Sequence, residues 1–399
     1  MKAALLGLIH PHSASLLTTL DNLPEITAVT LWDADPSVVA KPALPASSKV
    51  TTVTTDLDAV LADPALTFAI VCVRHDQAAA LALRVIAAGK ALMAEKPVGL
   101  NLEETLRIEQ AATRAGVVAS VLYPRRLHPC MEAARTRIAA GEIGALLSME
   151  VRFLTTQVRF RQPESWLFRR AQSGGGILLW LGCHCLDLLH HVAGDEITDV
   201  GALMATRSGE AIDVEDTVAL TLRFRSGAIG TFHAGYALAF SGGGYVNMAG
   251  YDSYLAFNGR EGRIVWPDLT PRLQIESRPP AGASPARDEV FAMPASTSYG
   301  GMVGDLFFRR FFAALRGAGA PPTTLADAVR TARLVEAAEQ SAREGRLVRI
   351  APPPGVAAAG GSAAGLLGSG ITGAAGGPEP RWPEAPAPEP RLRSPRLSS

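Results

Sequence analysis

Within the first 120 residues short apolar runs alternate with helical patterns, a rhythm that points to a parallel sheet covered by helices on both faces. Lys2 to Gly7 reads as the first strand, and Leu16, Leu17 and Leu20 share one face of the helix that follows. Further strands are expected at Ile26 to Trp32, Lys49 to Val53, Phe68 to Val73, Ala91 to Ala94 and Val117 to Leu122. Between them Gln77 to Ala88 is an alanine-rich helix stopped by Gly89. Asn101 caps another, with Glu103 and Glu104 in its first turn and Gly116 just past its end. Residues 1–122 therefore read as a doubly wound, Rossmann-like α/β domain.

Beyond Tyr123 the hydrophobic period shifts to two. Leu147 to Leu154, Val200 to Thr206, Thr217 to Phe224 and Ala228 to His233 are expected strands, with others between Tyr245 and Trp266. Helices are expected at Pro129 to Ala140, Asp305 to Arg316 and Leu325 to Glu344, before a last strand at Leu347 to Ile350. Residues 123–350 thus read as an α+β domain with an open, mostly antiparallel sheet, one face for helices and the other free for a partner subunit. Residues 351–399 collapse to Ala, Gly, Pro and Ser, holding ten of the 28 prolines, and are expected to be a disordered tail.

Lys plus Arg equals Asp plus Glu, 38 each, so charge makes no case for nucleic acid or an anionic membrane, and a small molecule is the expected partner. The four cysteines, Cys72, Cys130, Cys183 and Cys185, are too scattered for a disulfide framework, which suits a cytoplasmic protein. Met1 to Ile9 is too short an apolar run for a signal peptide, and no apolar stretch reaches the ~20 residues of a membrane span.

Three stretches could carry chemistry. Ala94-Glu95-Lys96-Pro97 ends a strand at the edge where such sheets bind ligands. A lysine desolvated there can act as a general acid or base, with Glu95 as its partner, whereas the plainer reading is a surface lysine in a loop. Pro97 fixes the backbone and is a candidate for a cis bond.

The first turn, Gly7-Leu8-Ile9-His10-Pro11-His12, keeps only one glycine of a G-x-G-x-x-G dinucleotide turn. Ile9 and His12 stand at the other glycine positions, and Pro11 removes a backbone donor. His10 and His12 offer replacement donors, and a loop that binds no nucleotide is the competing reading. Asp33, ending the second strand, is placed either for the ribose hydroxyls of NAD, where it would repel the 2′-phosphate of NADP, or as an ordinary loop aspartate.

Gly174 to Asp187 carries three consecutive glycines followed by Trp180 and His184 at helical spacing, and a histidine near Lys96 would supply a second proton-handling group. A core histidine is the alternative. Cys183 and Cys185 fall on different helix faces and no C-x-x-C pair exists, so no metal is expected.

The order of these signals resembles the Gfo/Idh/MocA family of NAD(P)-dependent oxidoreductases over about Met1 to Ile350. The likeness rests on Glu95-Lys96-Pro97, then Tyr123 to Pro129, then Gly174-Gly175-Gly176 with Gly182 and His184. Gly141-Glu142-Ile143-Gly144, Glu215-Asp216-Thr217 and Ser341-Ala342-Arg343-Glu344-Gly345 add to it. The resemblance implies a hydride-transferring enzyme acting on a sugar, cyclitol or related polyol, with Lys96 and His184 catalytic and NAD as cofactor. It implies Gly7, Ile9, His10, His12, Asp33, Val73, Glu95, Lys96 and Pro97 around the cofactor. Arg126, near the substrate entrance, would join Lys96, Trp180 and His184 around the substrate. Family members often form dimers or tetramers through the open sheet. Three departures stand out: Trp180 replaces the usual aspartate four residues before the histidine, the first turn lacks glycines, and Val73-Arg74-His75-Asp76-Gln77 replaces the usual Thr-Pro-Asn loop. They leave two alternatives: a redox-inactive ligand-binding or regulatory protein, and a glycosidase or lyase that keeps NAD bound.

Overall fold

The structure is a computed structural model that describes residues 1–238, 250–278 and 285–351. The first strands form as the alternation demands: β1 (Lys2–Leu6), β2 (Ala28–Trp32), β3 (Val50–Thr54), β4 (Leu66–Val71), β5 (Ala91–Ala94) and β6 (Ala119–Val121). They make one six-stranded parallel sheet in the order β3-β2-β1-β4-β5-β6, whose direction of winding reverses between β1 and β4. Helices α1 (Ser13–Asn22), α2 (Pro36–Ala40), α3 (Leu57–Ala62), α4 (His75–Ala87) and α5 (Leu102–Ala115) connect them.

The strands are apolar on both sides because both sides are covered. Ala4 and Leu6 of β1 enter one core with Val85 of α4 and Ile108 of α5, while Ala3 and Leu5 enter the opposite core with Leu16, Leu17 and Leu20 of α1.

The second half opens with α6 (Pro129–Ala139) and β7 (Leu146–Thr155), followed by the short helices α7 (Val158–Arg161) and α8 (Arg170–Ser173) and then α9 (Cys183–Ala193). The strands β8 (Ile197–Ala205), β9 (Thr217–Phe224), β10 (Ile229–Gly235), β11 (Tyr251–Gly259), β12 (Gly262–Trp266), β13 (Arg272–Ser277) and β14 (Ala286–Val290) come next. Helices α10 (Met302–Leu315) and α11 (Leu325–Glu344) precede β15 (Val348–Arg349).

These strands form a nine-stranded sheet, β14-β13-β12-β11-β7-β10-β9-β8-β15, antiparallel except between β7 and β10. Val151, Phe153, Leu220, Leu222 and Phe232 face its core with α9 and α11 residues such as Leu186 and Leu334. The strands β13 and β14 are additions to the sequence reading. The expected start near Tyr245 and the tail beyond Ala351 lie outside the described residues.

Helix α10 cuts across the division at residue 122. Its Phe307, Phe308, Phe311 and Phe312 are fully buried in the first sheet's core, against Leu16, Phe68 and Ile70. The segment before it is tied to α1: Asn22 Nδ2 donates to Ser298 Oγ at 3.0 Å, and the Tyr299 amide donates to Thr19 Oγ1 at 2.8 Å. The segment Arg170–Ala193 has the length and apolarity of a bilayer span, yet 83 % of its most apolar stretch lies inside the protein, as a core helix does.

Candidate active site

Lys96 follows β5 at the carboxyl edge of the parallel sheet, and its peptide bond to Pro97 is cis. Its side chain is wholly buried. Its Nζ donates to the Trp180 carbonyl at 2.6 Å and lies 3.6 Å from the centroid of the Trp180 ring. Burial pulls the ammonium below its ordinary range, against the opposing pull of Cys183 and Glu95.

Trp180 sits there because the chain from Leu178 to Gly182 makes a π-helical turn before α9, a widening often found at functional sites. The sequence reading had one regular helix running through it. Glu215 holds that turn: its carboxylate accepts from the Gly176 amide at 2.9 Å and the Leu178 amide at 3.2 Å. A Cβ on Gly176 would run into the Glu215 carbonyl, so the approach requires glycine. His184, one residue into α9, is buried with its ring edge-on to Tyr123 at 5.7 Å, and burial and then the Lys96 charge push it well below the ordinary histidine range.

The first turn meets this cluster from the other side. His12 stacks on Trp180, centroids 5.3 Å apart and planes 24° from parallel, and its Nδ1 lies 3.1 Å from Glu95 Oε1, an ion-pair distance without hydrogen-bond alignment. His10 is buried 5.6 Å from Trp180, and burial first, then His12 and His75, hold it neutral. His75, Trp166 and Tyr299 complete the lining: His75 lies 5.5 Å from Trp180 and 4.8 Å from Trp166, and Tyr299 lies 4.8 Å from His12. Burial takes His75 down to about 3. The sequence reading names none of these three as a site residue, although His75 stands in the Val73 to Gln77 loop that departs from Thr-Pro-Asn. Aromatic residues in segments bounding the glycine run were the only available signal for Trp166, and Tyr299 had none.

Other expected residues find structural partners. Gly7, with φ +105°, lets the first turn lie directly on Cys72 and Val73, where a Cβ would clash. Asp33 Oδ2 accepts from the Leu8 amide at 2.9 Å and Oδ1 from the Asp35 amide at 3.1 Å, so its carboxylate braces the turn. The His12 amide donates to His10 Nδ1 at 3.1 Å. Pro11 has no amide hydrogen, and among the described residues the amides of the exposed Ile9 and of His10 have no acceptor.

Arg126, expected near the substrate entrance, finds partners within the protein. It is buried, its Nε and Nη2 bonded to the two Asp187 oxygens at 2.7 and 2.5 Å and its Nη2 lying 3.0 Å from Asp327 Oδ1. Carboxylates on α9 and α11 thus occupy the guanidinium fork. Among the described residues no cluster of His, Cys, Asp or Glu has metal-binding geometry.

The family's nicotinamide nucleotide can be tested against these residues. Buried polar atoms without a hydrogen-bond partner in the protein converge on one place: His10 Nε2, His12 Nδ1, both Glu95 oxygens, His75 Nε2, Trp180 Nε1 and His184 Nδ1. Buried polar groups are normally satisfied, so this concentration at the sheet's carboxyl edge fits a polar ligand.

A six-stranded sheet in this order, with a ligand-type cluster where the winding reverses, defines a dinucleotide-fold protein. Residues 2–123 match the model of the oxidoreductase family's NAD-binding Rossmann fold, and residues 131–265 match the GFO/IDH/MocA C-terminal domain. The chain belongs to the Gfo/Idh/MocA family. It is 28% identical over 193 residues to 1,5-anhydro-D-fructose reductase of Ensifer adhaerens, covering 48% of this chain and 57% of that protein. It is 31% identical over 170 residues to trans-1,2-dihydrobenzene-1,2-diol dehydrogenase of Bos taurus, covering 43% and 49%. The chain therefore spans about half the length of the curated relatives it matches. In fold it is similar to levoglucosan dehydrogenase in complex with NADH and levoglucosan, with TM-score 0.75 at 21% identity over 88% of this chain and all of that one.

Proposed function

We propose that this protein is a nicotinamide-dependent oxidoreductase that moves a hydride to or from the carbinol carbon of a sugar, cyclitol or related polyol. The observation that carries the reading is Lys96, desolvated at the carboxyl edge of the parallel sheet amid buried polar atoms that lack protein partners. When bound, the nicotinamide takes or gives the hydride. Gly7, Val73, Ile9, His10 and the cis Lys96-Pro97 turn line the edge that would hold it. The Asp33 carboxylate favours NAD over NADP, because a second negative charge on the ribose would meet it.

Lys96 takes or returns the hydroxyl proton, and His184 orients the substrate. Arg126, through Asp187, holds the helix that carries His184. The two indoles, with the neutral imidazoles of His10 and His75, offer flat apolar faces and nitrogen donors suited to a ring bearing hydroxyls. The relatives' printed names, an anhydrofructose reductase and a dihydrodiol dehydrogenase, fit that substrate class. A second copy of the chain belongs on the outer face of the nine-stranded sheet, where Leu203 and Ile229 stand exposed.

One observation favours a second reading, a ligand-binding protein without redox chemistry: the Trp180 ring covers the very amine that would act. Titrating the pure protein with NADH and NADPH, by fluorescence or calorimetry, separates the two. Binding, followed by nicotinamide absorbance change on a polyol panel, is the expected result; no binding of either nucleotide at millimolar concentration overturns the proposal. A bound nucleotide whose absorbance returns to its start while a glycoside is cleaved would instead mark an NAD-keeping glycosidase or lyase.

A further inference from the structure

A proton taken up by Lys96 has to leave through protein, because the amine is completely enclosed. One carboxylate oxygen stands between it and the outside. Glu95 Oε1 lies 3.9 Å from Lys96 Nζ and 3.1 Å from His12 Nδ1. The Glu95 side chain is only 3% exposed, and neither of its oxygens accepts a hydrogen bond from the protein. A buried carboxylate in that state is costly unless neighbouring groups bring it a proton or a positive charge. Its basic neighbours are these two groups, and Cys72 and Tyr299 also lie within its electrostatic reach. Of the three groups only His12 reaches the surface, with 17% of its side chain exposed.

We infer that Glu95 and His12 form a proton relay that carries the substrate's hydroxyl proton from Lys96 to solvent. The inference rests on the oxidoreductase reading of the same site. In the oxidative direction the neutral Lys96 Nζ accepts the proton of the carbinol O–H while the carbinol C–H hydride passes to an oxidised nicotinamide. Lys96 returns to the neutral amine by giving a proton to Glu95 Oε1, across a gap that rotation of its terminal methylenes closes. Glu95 passes a proton to His12 Nδ1 and becomes a carboxylate again, and His12 releases one from Nε2 to water. Exchange with water, losing the Nδ1 proton and gaining one at Nε2, restores the starting tautomer, since imidazole can take a proton at one nitrogen and give it from the other. Reduction runs the same path backwards.

The surroundings suit transfer in both directions. His12 meets Glu95 from the end of β5, His10 from its own turn, the Trp180 face and Tyr299 from the segment before α10. Lys96 feels Cys183 and Glu95 on one side and the positive charges of Arg161 and Arg125 on the other, and burial keeps its amine within reach of the neutral form.

Glu95 and His12 act through Lys96, so the test needs readouts that a merely structural role would not move. His12→Gln should lower kcat about 100-fold with KM little changed, and free imidazole in the buffer should restore much of the loss. Glu95→Gln should lower kcat without imidazole rescue. Wild-type kcat in His12→Gln, or a loss that imidazole does not restore, overturns the relay. A second measurement needs no turnover: the His12 ring nitrogens are observed by 15N NMR in the free protein and in Glu95→Gln. Loss of the carboxylate 3.1 Å away should move the His12 Nδ1 resonance, and an unmoved resonance overturns the relay whatever the cofactor does. Failure to bind either nucleotide overturns the oxidoreductase reading whatever His12 does.

Discussion

Lys96 and Trp180 hold each other twice, the ammonium lying 3.6 Å from the centroid of the indole and donating at 2.6 Å to the same residue's carbonyl. The cation–π part of such a contact is worth about 2 kcal/mol when desolvated. Trp180→Leu removes the ring and leaves the carbonyl, so Lys96 should become accessible. Reductive methylation read by mass spectrometry checks this: in the wild type Lys96 stays unlabelled while the exposed Lys41 reacts, and in the variant Lys96 reacts too. Equal labelling of Lys96 in both proteins would sink the idea of a cover.

Arg126→Leu should unfold the protein far more easily than its distance from solvent suggests. The substitution leaves Asp187 without its bidentate partner in the core and strips Asp327 of a neighbour. Removing one member of a buried ion pair costs about 3–5 kcal/mol. Thermal and urea denaturation should show it as a lower Tm and an earlier midpoint; a change under 1 kcal/mol would contradict the geometry.

Asp327 predicts an acid limb. Burial pushes its carboxyl up, but Arg126 and the Thr324 amide and hydroxyl outweigh burial and hold it at about 2, against an ordinary 3.8. The folded form therefore binds that proton less readily than the unfolded chain. Its contribution, about 2 kcal/mol, is present above pH 4 and is lost as pH falls from about 4 towards 2. Asp327→Asn should flatten stability against pH in that window, measured by urea midpoints at each pH, and an unchanged slope would rule the residue out.

Glu215 predicts local loosening. With Glu215→Ala the amides of Gly176 and Leu178 lose their acceptors, at about 1–3 kcal/mol for orphaned buried donors. Hydrogen exchange should quicken first at these two amides, ahead of global unfolding. Exchange that changes only together with the whole protein would contradict a local role.

The sheets were legible because their signals are local and repetitive. The helix Leu325 to Glu344 begins and ends where the sequence places it, fixed by the reciprocal capping of Thr324 and Asp327 and by Gly345 in the left-handed conformation. Lys96 could be placed at a strand end because the strand itself is short and apolar. What it touches could not, since neither a π-helical turn nor an indole lying on an amine leaves a periodic trace. His75 and Trp166 reach the cluster from segments about 90 residues apart in the sequence, and Tyr299 meets His12 from much further away. The partners of Arg126 were hidden for the same reason, because its two carboxylates come from α9 and α11. The phenylalanines of α10 were visible as an apolar stripe, but nothing in the stripe says that it covers a sheet begun 300 residues earlier.

The bonds from Asn22 to Ser298 and from Thr19 to Tyr299, together with the phenylalanines of α10, set a timetable on the ribosome. The parallel sheet emerges first, yet part of one of its faces stays bare and the His12 side of the cleft stays unfinished until some 180 further residues, from Val121 to Met302, have been made. At about 5–20 residues per second that interval is on the order of 10 to 40 s. For that long the nascent chain displays Leu16, Phe68 and Ile70 to its surroundings. A chain truncated before Met302 would carry the whole parallel sheet and still behave as an aggregation-prone fragment, and the segment that protects it is also the one that completes the site.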